Sequence, residues 1–450
     1  MKYRGFLAIF LIWTLLFCGC AARQDVSTLE LPGGDGVSAS LPAPPAAPEA
    51  PQADDTPEPS GPVTLTLAVA ADCPVQAPFG QMIRDFNAAQ TQVQIEYTIY
   101  SDSGLDGTQS ADLLRTQILA GDPPDLYAFY TDGYAAPPLA PEGTCMDLLP
   151  LLGETVTAEA LVPGLYELMT ADGTLRTLPL TVAVDTVIAP ARLLPEPGVT
   201  LAELEQARAQ LPSGWVPIGS WNTPGNLFVG FCAAYCIGAY TDRASGTCDF
   251  QQQSFYDFLT WCKTWGGDGS IPSAPEKELL RIWQIESLSW LAGRSEIVQE
   301  HWFGEPAYTF IGFPTADGSI GNGYRVRSSL GVSPQCAHTD AARAFLEYCF
   351  SYVQGAYIPA NYALLQAELA EYIAGNRTDW RGEVALVSET DAAKFYELLQ
   401  NVPILEGLDA PLAQILNEEA DAYFSGTQTA EQAAQNIQNR ASLYMQEQYG

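Results

Sequence analysis

Residues 63–70 read Val-Thr-Leu-Thr-Leu-Ala-Val-Ala, and these large apolar side chains alternating with Thr and Ala predict a β-strand where the folded part of the chain begins. An amphipathic helix should follow, because four apolar side chains recur at the spacing of one helix face. Those side chains are Phe79, Met82, Ile83 and Phe86. A second alternating run, residues 93–99, predicts the next strand.

The same pattern then repeats along the chain. Ser110 can cap a helix that Gly121 ends, with Leu114 and Ile118 on one side of it. The apolar residues 126–130 predict a third strand. Strands that alternate with helices over connections this short imply right-handed crossovers and a parallel sheet covered on both faces, which is an α/β lobe.

Sheets of this kind bind ligands beyond the carboxyl ends of their strands, at the loops that leave the sheet. Here those loops follow the first and third strands. The candidate ligand-binding residues on them are Asp72, Tyr130, Asp132 and Tyr134. The alternative is that both loops are ordinary solvated surface.

The N-terminus has the layout of a secretion signal. Lys2 and Arg4 precede an apolar run at residues 6–17. That run is about a dozen residues long, whereas a helix that crosses a bilayer needs roughly 20. We therefore expect cleavage and export.

Residues 16–20, Leu-Phe-Cys-Gly-Cys, resemble the lipobox of bacterial lipoproteins, with Phe17 in place of the usual leucine. The resemblance implies that residues 1–19 are a signal peptide and that Cys20 becomes a lipidated N-terminus. The protein would then sit at the cell membrane on its extracytoplasmic face. Ordinary secretion without a lipid is the alternative.

Residues 20–62, which begin with this cysteine, are rich in Pro, Ala, Gly and acidic residues and show no apolar periodicity. Such a composition cannot bury enough apolar surface to fold. We therefore predict a disordered tether between the lipid and the folded body.

Composition narrows the possible partners. A formal net charge of −33 argues against a nucleic-acid partner, because phosphates would be repelled. The ten cysteines include no C-x-x-C pair, and those after Cys20 either form disulfides, which export permits, or serve as small buried apolar side chains. His301 and His338 are the only histidines and neither has a partner at zinc-ligand spacing, so we predict no metal or other cofactor.

The second half of the chain is more helical and more aromatic. Helices are predicted near residues 201–210, 251–265, 277–290 and 340–353. A final helix follows Thr429-Ala-Glu-Gln432, which has the form of a capping box.

Several motifs occur in one order along residues 63–450. They include Met82-Ile-Arg-Asp-Phe-Asn87, Leu119-Ala-Gly-Asp-Pro-Pro-Asp-Leu126, Gly312-Phe-Pro-Thr-Ala-Asp-Gly318 and the ending from Tyr423-Phe-Ser-Gly426 to Tyr444. Together they resemble the extracellular solute-binding proteins of ABC importers, in particular the carbohydrate-binding group.

That resemblance implies a two-lobed, periplasmic-binding-protein-like fold of type II, with a ligand cleft between lobes joined by a hinge. The first lobe would comprise residues 63–180 and about 308–358, and the second residues 181–307 and about 359–450. A monomer of this kind captures a solute, most simply a mono- or oligosaccharide, and delivers it to a membrane permease without catalysis.

A sugar offers hydroxyl groups and an apolar ring face, so its site needs polar side chains and flat aromatic rings. The remaining candidate ligand-binding residues are Trp221, Asn222, Trp302, Tyr324 and Arg325. Trp302 suits ring stacking, whereas Trp221 can equally be a buried structural residue. Arg325 can clamp a carboxylate or pair with a nearby acidic side chain.

Other functions remain open at this point. An exported carbohydrate-active enzyme with a carboxylate pair is one alternative, since 53 acidic residues are present. A binding protein for a non-sugar solute and a signalling co-receptor are the others.

Overall fold

A computed structural model describes the residues in the ranges 61–71, 79–99, 114, 116–130, 143–230, 237–352, 357–379, 381–405 and 410–450. The predicted signal peptide, Cys20, nearly all of the tether, and Asp72, Asp132 and Tyr134 lie outside these ranges. The described residues belong to one compact unit. Among them, no helix is both long enough and apolar enough to cross a membrane.

A mixed β-sheet runs through this unit. The described strands are β1 (Val63–Ala71), β2 (Val93–Ile99), β3 (Leu126–Tyr130), β4 (Leu178–Pro190), β5 (Val216–Ile218), β6 (Thr241–Asp242), β7 (Thr247–Cys248), β8 (Glu278–Ile285), β9 (Tyr308–Phe310), β10 (Gly323–Val332), β11 (Ile358–Pro359) and β12 (Ile404–Leu405). Ten of these described strands form one sheet, whose main path is β2-β1-β3-β10-β4-β8-β5. Strands β6 and β7 form a separate hairpin.

The three predicted strands of the first lobe are confirmed, and so is their parallel order. β1 pairs in parallel with both β2 and β3. The sheet then turns antiparallel, because β10 enters beside β3 from a distant part of the chain. A pairing between strands so far apart in sequence leaves no local pattern, so the sequence predicted only the parallel part.

Helices cover the sheet. Those described are α1 (Phe79–Ala89), α2 (Leu149–Leu152), α3 (Leu165–Met169), α4 (Leu201–Arg208), α5 (Pro224–Phe228), α6 (Gln253–Trp265), α7 (Arg294–Ile297), α8 (Thr339–Phe350), α9 (Tyr362–Ile373), α10 (Glu389–Leu399), α11 (Ala410–Phe424) and α12 (Ala430–Tyr449). Thr429 and Gln432 form the predicted capping box of α12.

The helix predicted for residues 277–290 is wrong, because β8 occupies most of that stretch. Leu279, Leu280, Trp283 and Ile285 are all buried there, so the strand is covered on both faces. A short apolar run of this kind does not show the alternation of a half-exposed strand and resembles a buried helix.

Two large apolar cores and one small apolar cluster, which includes Tyr127 and Phe129, occur among the described residues. One large core contains β1 and α1, and the other contains α6, α11 and α12. Leu365 of α9 and Phe395 of α10 pack in the first core, whereas Ile437 of α12 packs in the second. Residues of α9 and α10, which were predicted to belong to the second lobe, thus pack in the first core, and the lobe boundaries stay a prediction. An apolar helix face shows that a helix is buried, but it does not show against which core.

Strand β4 connects the cores. All of its residues are buried. Val182, Val184 and Ile188 belong to the first core, whereas Val187 and Ala189 belong to the second. Alternate residues of one strand thus contribute side chains to both cores.

Within the described ranges, Cys145, Cys248, Cys336 and Cys349 are free cysteines. For these residues, packing as small side chains is the correct alternative. Burial raises the thiol pKa of Cys145 to about 12 and that of Cys349 well above its ordinary value.

Candidate functional site

The loop that carries Trp221 lies between β5 and α5 and is fixed by two carboxylates. Gly219 donates its backbone N–H to Glu278 at 2.7 Å. Ser220 donates its backbone N–H to Glu276 at 2.8 Å, and its hydroxyl group also donates to that carboxylate. Because hydrogen bonds to charged groups are the stronger ones, this loop is held in one conformation.

Asn222 helps to close the same loop. Its side chain is 2% exposed, and its amide donates to the Gly219 carbonyl at 3.0 Å. Thr223 then caps α5 by accepting the Asn226 N–H at 3.2 Å. In this conformation the Asn222 amide maintains the loop, and its role as a ligand contact stays a prediction.

Arg281 of β8 lies between the two candidate tryptophans. Its guanidinium carbon is 5.4 Å from the centroid of the Trp221 ring and 4.7 Å from that of the Trp302 ring. Nη1 of Arg281 donates to Glu278 at 2.8 Å. Burial raises the pKa of Glu278, and the adjacent Arg281 opposes that rise. The carboxylate that holds the Trp221 loop therefore also holds the arginine.

The alternation of rings and guanidinium groups continues into the first core. Arg294 lies 5.4 Å from the Trp302 ring and 4.2 Å from the Trp283 ring. Its Nε donates to the Trp290 carbonyl at 2.9 Å, and burial lowers its pKa to about 10. We name this set the Trp–Arg ladder. Its members, in order, are Trp221, Arg281, Trp302, Arg294 and Trp283.

Trp302 reaches the ladder from a π-helical turn, Val298–Phe303. Such turns are rare and occur often at functional sites. Two guanidinium groups lie over its ring, so a stacked ligand would have to share that ring with them or displace one.

Arg281, Arg294 and Trp283 were not predicted to belong to this cluster. Arg281 and Trp283 are two residues apart, which places them on one face of a strand. The pattern was hidden because residues 277–290 were predicted to be a helix, where positions two apart do not share a face.

Tyr130 lies at the end of β3, as predicted, and is 2% exposed. Its hydroxyl group shares a hydrogen bond with that of Tyr357, 3.1 Å away. The guanidinium carbon of Arg327 lies 5.8 Å from the Tyr130 ring, and Arg327 is 3.7 Å from Glu286. Tyr130 is thus part of a polar cluster on the central strands.

Arg325 pairs with Asp185 on the neighbouring strand, and both side chains are almost completely buried. Rotating the Gln284 amide lets its oxygen accept from Nη2 of Arg325 at 2.7 Å. Val187 and Ala189, further along β4 on the same face as Asp185, belong to the second core. Of the two uses predicted for Arg325, the structure shows the ion pair.

Tyr324 is a core residue in this structure. It is fully buried, and its hydroxyl group donates to the Pro163 carbonyl at 3.1 Å. Successive residues of a strand point to opposite faces of the sheet, so Tyr324 and Arg325 lie on different faces. The role of both residues as ligand contacts stays a prediction.

Asp72, Asp132 and Tyr134 lie outside the described ranges, so their role stays a prediction. In the part of the chain that the structure describes, no group of three His, Cys, Asp or Glu residues is arranged to hold a metal ion.

No protein-family model matches the chain, and no curated protein sequence matches it. Solved structures do resemble it. A cyclic alpha-maltosyl-1,6-maltose binding protein from Arthrobacter globiformis has a TM-score of 0.56 at 14% identity, covering 86% of this chain and 100% of the other. The sugar-binding protein MalE from Xanthomonas citri has a TM-score of 0.56 at 15% identity, covering 86% and 98%.

An extracellular solute-binding protein family 1 structure from Alicyclobacillus acidocaldarius has a TM-score of 0.54 at 15% identity, covering 86% of this chain and all of the other. Each of these three likenesses covers 86% of this chain. The chain therefore has the two-lobed, periplasmic-binding-protein-like fold of these solute-binding proteins.

Proposed function

We propose that this protein captures a mono- or oligosaccharide outside the cell and delivers it, unconverted, to an ABC-type permease. The observation that carries the proposal is the pair of partly exposed rings, Trp221 and Trp302, on either side of Arg281. Two of the structural neighbours are named as sugar-binding proteins, which supports the same solute class.

The chemistry of the site matches the needs of a sugar. Indole rings cover the apolar face of a pyranose, and a guanidinium group donates hydrogen bonds to its hydroxyl groups. Because two carboxylates fix the Trp221 loop, little ordering would be needed on binding, and pre-organisation of this kind favours affinity. Tyr130, with Asp72, Asp132 and Tyr134 beyond β1 and β3, would supply contacts from the first lobe.

A lipid on Cys20 and the tether that follows it would keep the binder at the cell surface. Each buried methylene of an acyl chain contributes about 0.8 kcal/mol, so a lipid with two or more chains anchors stably. Hinge closure of the two lobes around the solute would then present one monomer to the permease. Replacing Cys20 with Ser should move the protein from the membrane fraction to the medium, and retention in the membrane would contradict the anchor.

A carbohydrate panel read by thermal unfolding, with chromatography of the solute afterwards, tests the function. A saccharide at about 100 times its Kd should add about 2.7 kcal/mol of stability and be recovered intact. Trp221→Ala should reduce this gain. The matched control is Trp215→Ala, because Arg192 lies 5.4 Å over that ring as well. Absence of a shift with every saccharide, or recovery of a cleaved sugar, would refute the proposal.

A further inference from the structure

Arg281 uses few of its guanidinium N–H groups in hydrogen bonds to described residues. A guanidinium group carries five N–H donors. The hydrogen bond of Arg281 to a described residue is the one from Nη1 to Glu278. Its side chain is 15% exposed, so the remaining donors reach solvent.

These donors are held in a fixed plane. The Trp221 and Trp302 rings flank the guanidinium carbon at 5.4 and 4.7 Å, and Glu278 holds one end. A planar guanidinium that presents two parallel N–H groups matches the two oxygens of a carboxylate. A lysine at the same place would offer a point charge without this geometry.

The two guanidinium groups of the ladder differ in their hydrogen-bond partners. Arg281 is paired with Glu278, whereas the hydrogen bonds of Arg294 go to the uncharged Trp290 carbonyl. The negative charge of Asp391 nevertheless acts on Arg294 and opposes the fall of its pKa. The whole protein carries −33, so an acidic solute is repelled at long range and needs such a local positive site to bind.

We propose that Arg281 determines specificity for a saccharide that carries a carboxylate, such as a chain containing a uronic acid unit. The inference rests on the proposed function, because it concerns the same site. Arg281 binds the carboxylate through its exposed N–H groups while Trp221 and Trp302 keep the guanidinium plane in place.

Titration calorimetry on the purified protein tests this inference. The probes are disaccharides of glucuronic, galacturonic and mannuronic acid, each beside its methyl ester, together with neutral disaccharides. The ester removes the charge and keeps the sugar. At least one acid should bind about 10- to 100-fold more tightly than its ester, since charge-assisted hydrogen bonds have this strength.

Variants then assign the effect to one residue. Arg281→Gln should abolish the preference for the acid over its ester, and Arg281→Lys should retain only part of it. Arg192→Gln is the matched control, because Arg192 also lies over a tryptophan, Trp215, and pairs with Glu305 at 2.9 Å. It should leave the preference unchanged. Thermal unfolding without ligand verifies that each variant is folded.

The outcomes separate the two proposals. Equal binding of acid and ester, or an Arg281→Gln variant that weakens both equally, overturns the role of Arg281. Binding of neutral disaccharides with none of the acids overturns it too and leaves saccharide capture intact. Failure of every saccharide to bind overturns both. The comparison of acid and ester in the unaltered protein decides the specificity even where a variant does not fold.

Discussion

Replacing Arg325 with Met should destabilise the protein strongly, because it leaves the Asp185 carboxylate buried without its ion-pair partner. The two side chains are 3% and 2% exposed and belong to strands β10 and β4, which pair along the centre of the sheet. Removing one partner of a buried pair costs about 3–5 kcal/mol. Urea denaturation followed by circular dichroism measures this loss in the free energy of unfolding.

Two further variants make the test specific. Arg176→Met breaks an ion pair of 2.9 Å whose side chains are 31% and 53% exposed, and should cost less than about 1 kcal/mol. The double variant Arg325→Met/Asp185→Leu removes both buried charges and should be more stable than Arg325→Met alone. If Arg325→Met and Arg176→Met cost the same, or if the double variant is the least stable, the burial argument is refuted.

Three other features lead to separate predictions. The Tyr352 hydroxyl group donates to Asp85 at 2.6 Å, and this hydrogen bond raises the pKa of Tyr352 to about 12 from an ordinary value of 10. The free energy of unfolding should therefore fall as the pH rises from about 10 to 12. Tyr352→Phe should make that fall smaller, as measured by urea denaturation. An equal slope in both proteins would contradict this. Cys145, with a pKa of about 12, should not react with iodoacetamide at pH 8 until the protein unfolds. Peptide mass mapping measures this reaction, and rapid labelling of Cys145 in the folded protein would contradict the prediction. Thr200→Ala removes the capping box of α4 and should cost about 1 kcal/mol, whereas Thr200→Ser should cost little; equal losses in thermal unfolding would disprove the cap.

The parts of the fold that were predicted correctly have local causes. Phe79 and Phe86 lie on one face of α1 because of their spacing, and both are buried. Thr429 caps α12 through a residue three positions later. Interactions between residues this close in sequence leave a pattern that can be read without any tertiary contact.

The site depends on contacts between distant residues. Trp221 and Trp302 were selected individually for their ring chemistry, and nothing in their spacing predicts that Arg281 lies between them. Tyr324 and Arg325 were both selected as candidates, and strand geometry sends them to opposite faces. Arg281 lies on strand β8, and that stretch was predicted to be a helix.

The sequence by itself determined the parallel α/β start of the first lobe and most of the long helices, because apolar spacing and capping residues act over a few positions. It also indicated the type of residue that a sugar site needs. Only the tertiary structure decided that β4 contributes to two cores, that Arg325 pairs with Asp185, and that the Arg281 guanidinium lies over two partly exposed rings. The physical reason is that strand pairing, burial and charge neutralisation are settled between residues far apart in the chain.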